Sequence, residues 1–258
     1  MKNKKSLGQH WLKDRGTLLR IAEWAKGEGD GKDEVVLEVG PGLGTLTSAL
    51  LKYFGKVVAV EFDEELAKKL PGQFPGKNLE VVSGDILQFD LREMPKGYKV
   101  VANVPYYITS KIVQRFLTDE NKPSVMVLLV QKEVAERLAA PVGDLSILGI
   151  SAQVYAKVSL GEVVPRGAFT PPPKVDSQVV KLEIYEESLV ADVDEREFFR
   201  LVKMGFSSPR KKVVSNLAAG LHREKAEVGE ILERSGVDGG LRAEALAIED
   251  WKRILKNL

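Results

Sequence analysis

Residues 103–107 read Asn-Val-Pro-Tyr-Tyr and directly follow the apolar run Tyr98–Ala102. An amide, a proline and two tyrosines at the end of a buried strand suit the gripping of a flat ring that carries an amine, such as adenine. The lone pair of an exocyclic adenine amine is delocalised into the ring, so the nitrogen attacks a methyl group poorly. Fixed acceptors for both amine protons, the Asn103 side-chain oxygen and the Val104 carbonyl, would pull that nitrogen toward tetrahedral geometry. Pro105 fixes its own φ and biases Val104 to an extended conformation, which stiffens the turn. Tyr106 offers a face on which an extruded base can stack, worth about 1–3 kcal/mol. The plainer alternative is that Asn103 caps the following helix and the tyrosines pack; Tyr107 is expected to do no more than pack.

A second constellation lies upstream. "LEVGPGLGTLT" (37–47) follows one apolar run and opens a helical stretch, with glycines at 40, 42 and 44. Glycines there let the backbone turn tightly and approach a ligand without Cβ obstruction. Glu61 ends the next strand, where a carboxylate can accept both hydroxyls of a ribose, and Asp85, followed by Ile86, stands where it can meet an adenine amine. The dinucleotide fingerprint asks for glycine at position 45, which is Thr45, and Glu38 precedes the loop. An acidic residue beside the loop suits a ligand with a cationic amino group better than a pyrophosphate. S-adenosylmethionine has that group, a ribose and an adenine.

Composition removes other chemistries. The 258 residues include no cysteine and two histidines, His10 and His222. Disulfides, thiolate zinc sites, cysteine nucleophiles and cytosine C5 methylation are thereby excluded, and no metal is expected. The longest apolar runs are far shorter than a bilayer span, and the lysine-rich start has no apolar stretch behind it. A soluble, cytoplasmic protein without a membrane partner is expected. Residues 1–26 carry seven Lys/Arg against Asp14 and Glu23, and residues 200–258 carry twelve against eight acids, while net charge is +1. Basic ends around an acidic middle suggest a polyanion held by the flanks, with ordinary scatter of solvated charge as the alternative.

The elements that position these groups follow from periodicity. Short Val-rich runs at 35–39, 57–61, 79–85, 98–103 and 125–130 lack polar alternation and are separated by helical stretches. That pattern predicts an α/β fold with a Rossmann-like parallel sheet covered on both faces. "ISAQVYAKVSL" (150–160) and "SQVVKLEIY" (177–185) alternate more and read as final, antiparallel strands around the stiff "FTPPPKVDS" (169–177). From Asp194 the pattern is helical to the end. A boundary near 187 divides a catalytic domain (1–187) from a small helical domain (188–258).

With these pieces in place, the chain resembles the ribosomal RNA small-subunit adenine N6,N6-dimethyltransferases, within the class I S-adenosylmethionine-dependent fold. The resemblance runs nearly end to end: "KKSLGQHWLKD" (4–14), "LEVGPGLGTLT", Glu61, Asp85, "NVPYY", "LLVQKEVAERL" (128–138) and "FTPPPKVDS". It implies that Gln9, His10 and Leu12 close over the cofactor, which Gly40, Gly42, Gly44, Glu61, Asp85, Ile86 and Asn103 contact. It implies that Phe169 stacks on the face of the target adenine opposite Tyr106. It further implies four methyl transfers onto two adjacent adenines near the 3′ end of small-subunit RNA, in a pre-ribosomal particle, by a monomer. Lys4, Lys5, Arg210, Lys211 and Lys212 are candidate phosphate contacts. Trp11 stands where the family commonly has phenylalanine, and Val104 where leucine or isoleucine is common. The rival readings are a large-subunit adenine methyltransferase of the antibiotic-resistance type, a DNA adenine methyltransferase, and a non-catalytic assembly or transcription factor on the same fold.

Overall fold

The Val-rich runs form the centre of a seven-stranded sheet in the computed structural model, which describes residues 10–258. The first elements are β1 (Trp11–Leu12), α1 (Arg15–Lys26), β2 (Val35–Val39), α2 (Thr45–Tyr53), β3 (Lys56–Glu61) and α3 (Glu64–Lys69). β4 (Leu79–Ser83), β5 (Lys99–Asn103), α4 (Thr109–Thr118), β6 (Val125–Gln131), α5 (Lys132–Leu138) and α6 (Ile147–Gln153) follow. β7 (Ala156–Val164), β8 (Phe169–Thr170) and β9 (Ser177–Ile184) complete the strands, and α7 (Glu195–Gly205), α8 (Val213–Leu221), α9 (Lys225–Arg234) and α10 (Ile248–Lys256) end the chain.

The strand order is β4-β3-β2-β5-β6-β9-β7. β2 pairs in parallel with both β3 and β5, so successive crossovers leave it in opposite directions, and a crevice opens beyond its carboxyl end. β9 runs antiparallel to β6, as its alternation predicts. Asp14 opens α1 by accepting from Thr17 N at 2.8 Å, and Gly27 at φ 71° ends it. The face so presented buries Leu18, Ile21 and Ala22 in one core cluster with Leu50 of α2 and Val36, Val57 and Val101 of the sheet. Without this packing the strand ends would not be held in register.

The chain divides into two compact units. Residues 10–136 and Lys157–Ile184 form one, and Arg137–Ala156 with Tyr185–Leu258 form the other. The second unit thus takes in a segment that the sequence reading leaves in the first domain. Backbone bonds tie it there: Gly143 N and Leu145 N both donate to Glu244 O, and Leu189 N donates to Val154 O. Residues 150–153, expected to begin a strand, lie in α6 instead, because the Ser146 hydroxyl accepts from Gly149 N and caps a helical turn. Among the described residues no helix is long and apolar enough to cross a membrane.

In the second unit Trp251 of α10 is fully buried and its ring lies against Gly205 of α7. A Cβ at Gly205 would stand 2.2 Å from that ring, so α7 and α10 touch at a position only glycine leaves open. Gly205→Ala is expected to destabilise the protein by about 1–3 kcal/mol through overpacking. Urea unfolding checks this, and an unchanged midpoint would show that the ring moves aside freely.

Candidate active site

The crevice beyond β2 is a cleft in the first unit. Its walls are carboxyl-end residues of four neighbouring strands: Gly40 after β2, Glu61 of β3, Asp85 after β4 and Asn103 of β5. Four distant pieces of sequence therefore meet because parallel strands end on one rim.

The floor is the glycine turn. Gly40 and Gly42 have φ of 65° and 56°, the left-handed region that other residues enter only with strain. Both line the cleft. Gly44 does not. It precedes α2 at φ 78°, and its missing side chain makes room for Leu70 and Phe74, so its role is packing and not ligand approach.

Two carboxylates stand in or beside this turn, in contrasting states. Glu61 is buried, and its oxygens accept from Gly42 N at 2.9 Å and Asp63 N at 2.8 Å. Each oxygen keeps a further lone-pair direction, so the carboxylate is fixed and can still receive ligand hydroxyls. Glu38 lies outside the lining, facing α2, where Oε2 accepts from the Thr47 hydroxyl at 2.6 Å. Its Oε1 is buried with no partner. Burial, opposed by the Thr47 hydrogen bond and aided to a smaller extent by nearby Glu61, pushes its pKa up to about 8. Asp85 is fixed as well, accepting from Leu87 N at 2.9 Å, and Ile86 completes that wall.

Beyond the carboxylates lies the Asn-Val-Pro-Tyr-Tyr turn. Asn103 Nδ2 donates to the His10 carbonyl at 2.9 Å, which leaves Oδ1 turned to other donors. Val104 N donates to Leu129 O, and among the described residues its carbonyl accepts no hydrogen bond. Tyr106 shares a 2.7 Å bond with the Ser177 hydroxyl. Burial raises its pKa above the ordinary tyrosine value, so the ring stays neutral. Tyr107 is 65% exposed and lines the cleft, contrary to the expectation that it packs. Phe62, 63% exposed beside Glu61, is a further lining aromatic that the pattern of motifs does not single out.

The remaining sites divide. His10 and Trp11 line the cleft, and the Trp11 ring lies against Gly42. Leu12 and Phe169 do not line it: β1 and β8 pair antiparallel with Leu12 opposite Phe169, and both side chains join the core cluster of α1 and α2. Phe169 is 3% exposed, so the structure does not place its ring across from Tyr106. The ring stacked on Tyr106 is that of His10, with centroids 5.8 Å apart and planes 23° from parallel. Arg210, Lys211 and Lys212 are exposed in the turn before α8 of the second unit. Gln9, Lys4 and Lys5 lie outside the described residues. No group of three or more His, Asp or Glu side chains that could hold a metal ion occurs among the described residues.

A left-handed glycine cradle, a fixed carboxylate and a second acid at the next strand end fit a nucleoside that carries positive charge. S-adenosylmethionine meets that description.

Comparison with known proteins agrees. Residues 1–258 match the family described as ribosomal RNA adenine dimethylase. The chain is 43% identical to ribosomal RNA small subunit methyltransferase A of Dehalococcoides mccartyi strain CBDB1, over 98% of this chain and 88% of that one. It is 41% identical to the protein of the same name from Desulfitobacterium hafniense strain DCB-2, over 98% and 93%. Among solved structures, a dimethyladenosine transferase from Plasmodium falciparum superposes with a TM-score of 0.81 at 29% identity, covering 96% of each chain. The 23S rRNA methyltransferase ErmE superposes with a TM-score of 0.76 at 30% identity, covering 96% of this chain and 99% of that one.

The state of Glu38 makes stability depend on pH. The unfolded glutamate loses its proton near 4.5, the folded one near 8, so between these values the native state binds the extra proton. Stability should therefore fall as pH rises through that window, with a slope from this residue of up to about 1.4 kcal/mol per pH unit. Glu38→Gln, which has no proton to lose, should flatten the dependence between pH 5 and 8 in urea unfolding. Parallel curves for the two proteins would refute the assignment.

Proposed function

The chain belongs to the ribosomal RNA adenine dimethylase family, and from that premise we propose that it transfers methyl groups from S-adenosylmethionine to N6 of two adjacent adenines near the 3′ end of small-subunit ribosomal RNA, as part of ribosome assembly. The observation that carries the reading is the turn at 103–107, in which one side-chain oxygen and one main-chain carbonyl accept no hydrogen bond from the described residues, beside an aromatic ring.

Bound S-adenosylmethionine supplies an electrophilic methyl on a sulfonium. The protein's share is placement. Gly40 and Gly42 would admit the donor's backbone-facing side, Glu61 would take the ribose hydroxyls, and Asp85, with Ile86 packed beside it, the donor's adenine amine. Asn103 Oδ1 and the Val104 carbonyl would accept the two N6 protons of the target, and Pro105 would keep their spacing constant. Localising the lone pair and aligning it with the methyl accounts for rate without a general base, because the proton on the alkylated amine is acidic enough to leave to water. Tyr106, held by Ser177, would stack on the target ring. Arg210, Lys211 and Lys212 would bind phosphates of the pre-ribosomal RNA.

The large-subunit reading draws support from the ErmE superposition. The small-subunit reading is favoured by the higher identity to proteins named for that subunit. Methyl transfer to immature small subunits from a strain lacking the modification tests the proposal directly. Wild type should modify the adjacent adenines, and Asn103→Ala should be slower by at least about 100-fold, the scale of a misplaced reacting group. Methylation found on purified large subunits alone would overturn it. Reversing the charges at 210–212 should weaken RNA binding and lower its salt slope by about 0.7–0.9 per lost phosphate contact, with cofactor affinity retained. An unaltered slope removes these three residues from the RNA footprint.

A further inference from the structure

His10 makes three separable contacts at the mouth of the cleft. Its carbonyl accepts from Asn103 Nδ2 at 2.9 Å. Its Nδ1 lies 2.8 Å from the Pro171 carbonyl, and since a carbonyl only accepts, that nitrogen carries the hydrogen. Its ring covers Tyr106 at a centroid distance of 5.8 Å. The first contact belongs to the backbone, and the other two to the side chain.

The third contact is incompatible with a base on the same face. A ring inserted between two others needs about 3.5 Å on each side, hence about 7 Å between the flanking planes. The observed centroid spacing of 5.8 Å leaves no room for it. Phe169, the expected far-face partner, is turned into the core in this structure. Either the imidazole leaves or the base stacks elsewhere.

We propose that the His10 imidazole is a removable stopper of the base subsite: it occupies the Tyr106 face until a target adenine displaces it, while the His10 carbonyl stays in place and keeps the Asn103 oxygen aimed at the incoming amine. This rests on the reading that the target stacks on Tyr106. Rotation about the side-chain bonds of His10 breaks only the Pro171 hydrogen bond and the stack. The residue therefore acts on specificity through Tyr106 and on geometry through Asn103, and it is a positioning residue for both. Its consequence is that a weakly held free nucleoside competes against the imidazole, whereas an adenine delivered by an anchored RNA can displace it.

The test uses the full chain saturated with S-adenosylhomocysteine and titrated with adenosine 5′-monophosphate in a calorimeter. His10→Asn keeps a side-chain donor for Pro171 and removes the ring, and it should bind the mononucleotide about 2- to 10-fold tighter, the range expected when one aromatic contact no longer competes. His10→Trp enlarges the stopper and should bind it several-fold more weakly. Tyr106→Ala, run beside them, separates the two levels. An affinity indifferent to Tyr106→Ala overturns the stacking reading and this proposal with it. An affinity that depends on Tyr106 but is unchanged or weakened by His10→Asn overturns the stopper alone.

Discussion

A single hydrogen bond, from Asn103 Nδ2 to the His10 carbonyl at 2.9 Å, decides which end of an amide faces the cleft. The two ends of an asparagine side chain have similar size and opposite polarity, so packing alone does not orient it. With nitrogen committed to the main chain of β1's approach, oxygen is presented to the ligand. An acceptor is what an amine-bearing substrate needs, and a donor there would repel it. The chemistry proposed for the turn therefore depends on a residue 93 positions away in sequence. It depends equally on β1 pairing with β8, which holds that stretch of chain against the rim.

The sheet makes this economy possible. Parallel strands bring all their carboxyl ends to one edge, and β2 is the strand from which neighbours are drawn in both directions. Gly40, Glu61, Asp85 and Asn103 thus converge without long loops of their own. The rigid part of the site comes from strands buried on both faces, and Val36, Val100, Val101 and Val127 are wholly inaccessible to water. The adjustable part comes from β1 and β8, each two residues long, which rest on the core only through Leu12 and Phe169.

This division explains what the sequence reveals. Strand positions, the class of sheet, the convergence of Glu61, Asp85 and Asn103, and the antiparallel β9 follow from apolar period and turn chemistry, both local properties. The direction of Phe169 does not, because it is set by pairing with Leu12, 157 residues upstream, in a strand too short to show a period. Gly44 looks like part of the cradle because glycine has several uses, and only contact with Leu70 and Phe74 assigns it to packing. Residues 150–153 alternate enough to resemble the start of a strand, yet one capping hydroxyl tips them into a helix. Tyr107 is misjudged for a simpler reason: exposure is a property of the finished surface, and a tyrosine in a motif carries no mark of it.

The two glutamates show how a site for a cationic ligand can be prepared in advance. Glu61 accepts from two main-chain donors, so it holds its place with or without company. Glu38 has one hydroxyl donor and one orphaned oxygen, and burial favours its neutral form. Full pairing of Glu38 within the protein would stabilise the fold and remove its response to charge. Left incompletely paired, it is the group whose ionisation a positive ligand can draw out, since a nearby cation offsets the burial penalty. Natural proteins keep such unsatisfied groups sparingly, because each costs stability on the order of 1–3 kcal/mol. Its position in β2, outside the cleft lining, keeps it from competing for hydrogen bonds at Glu61 and Asp85.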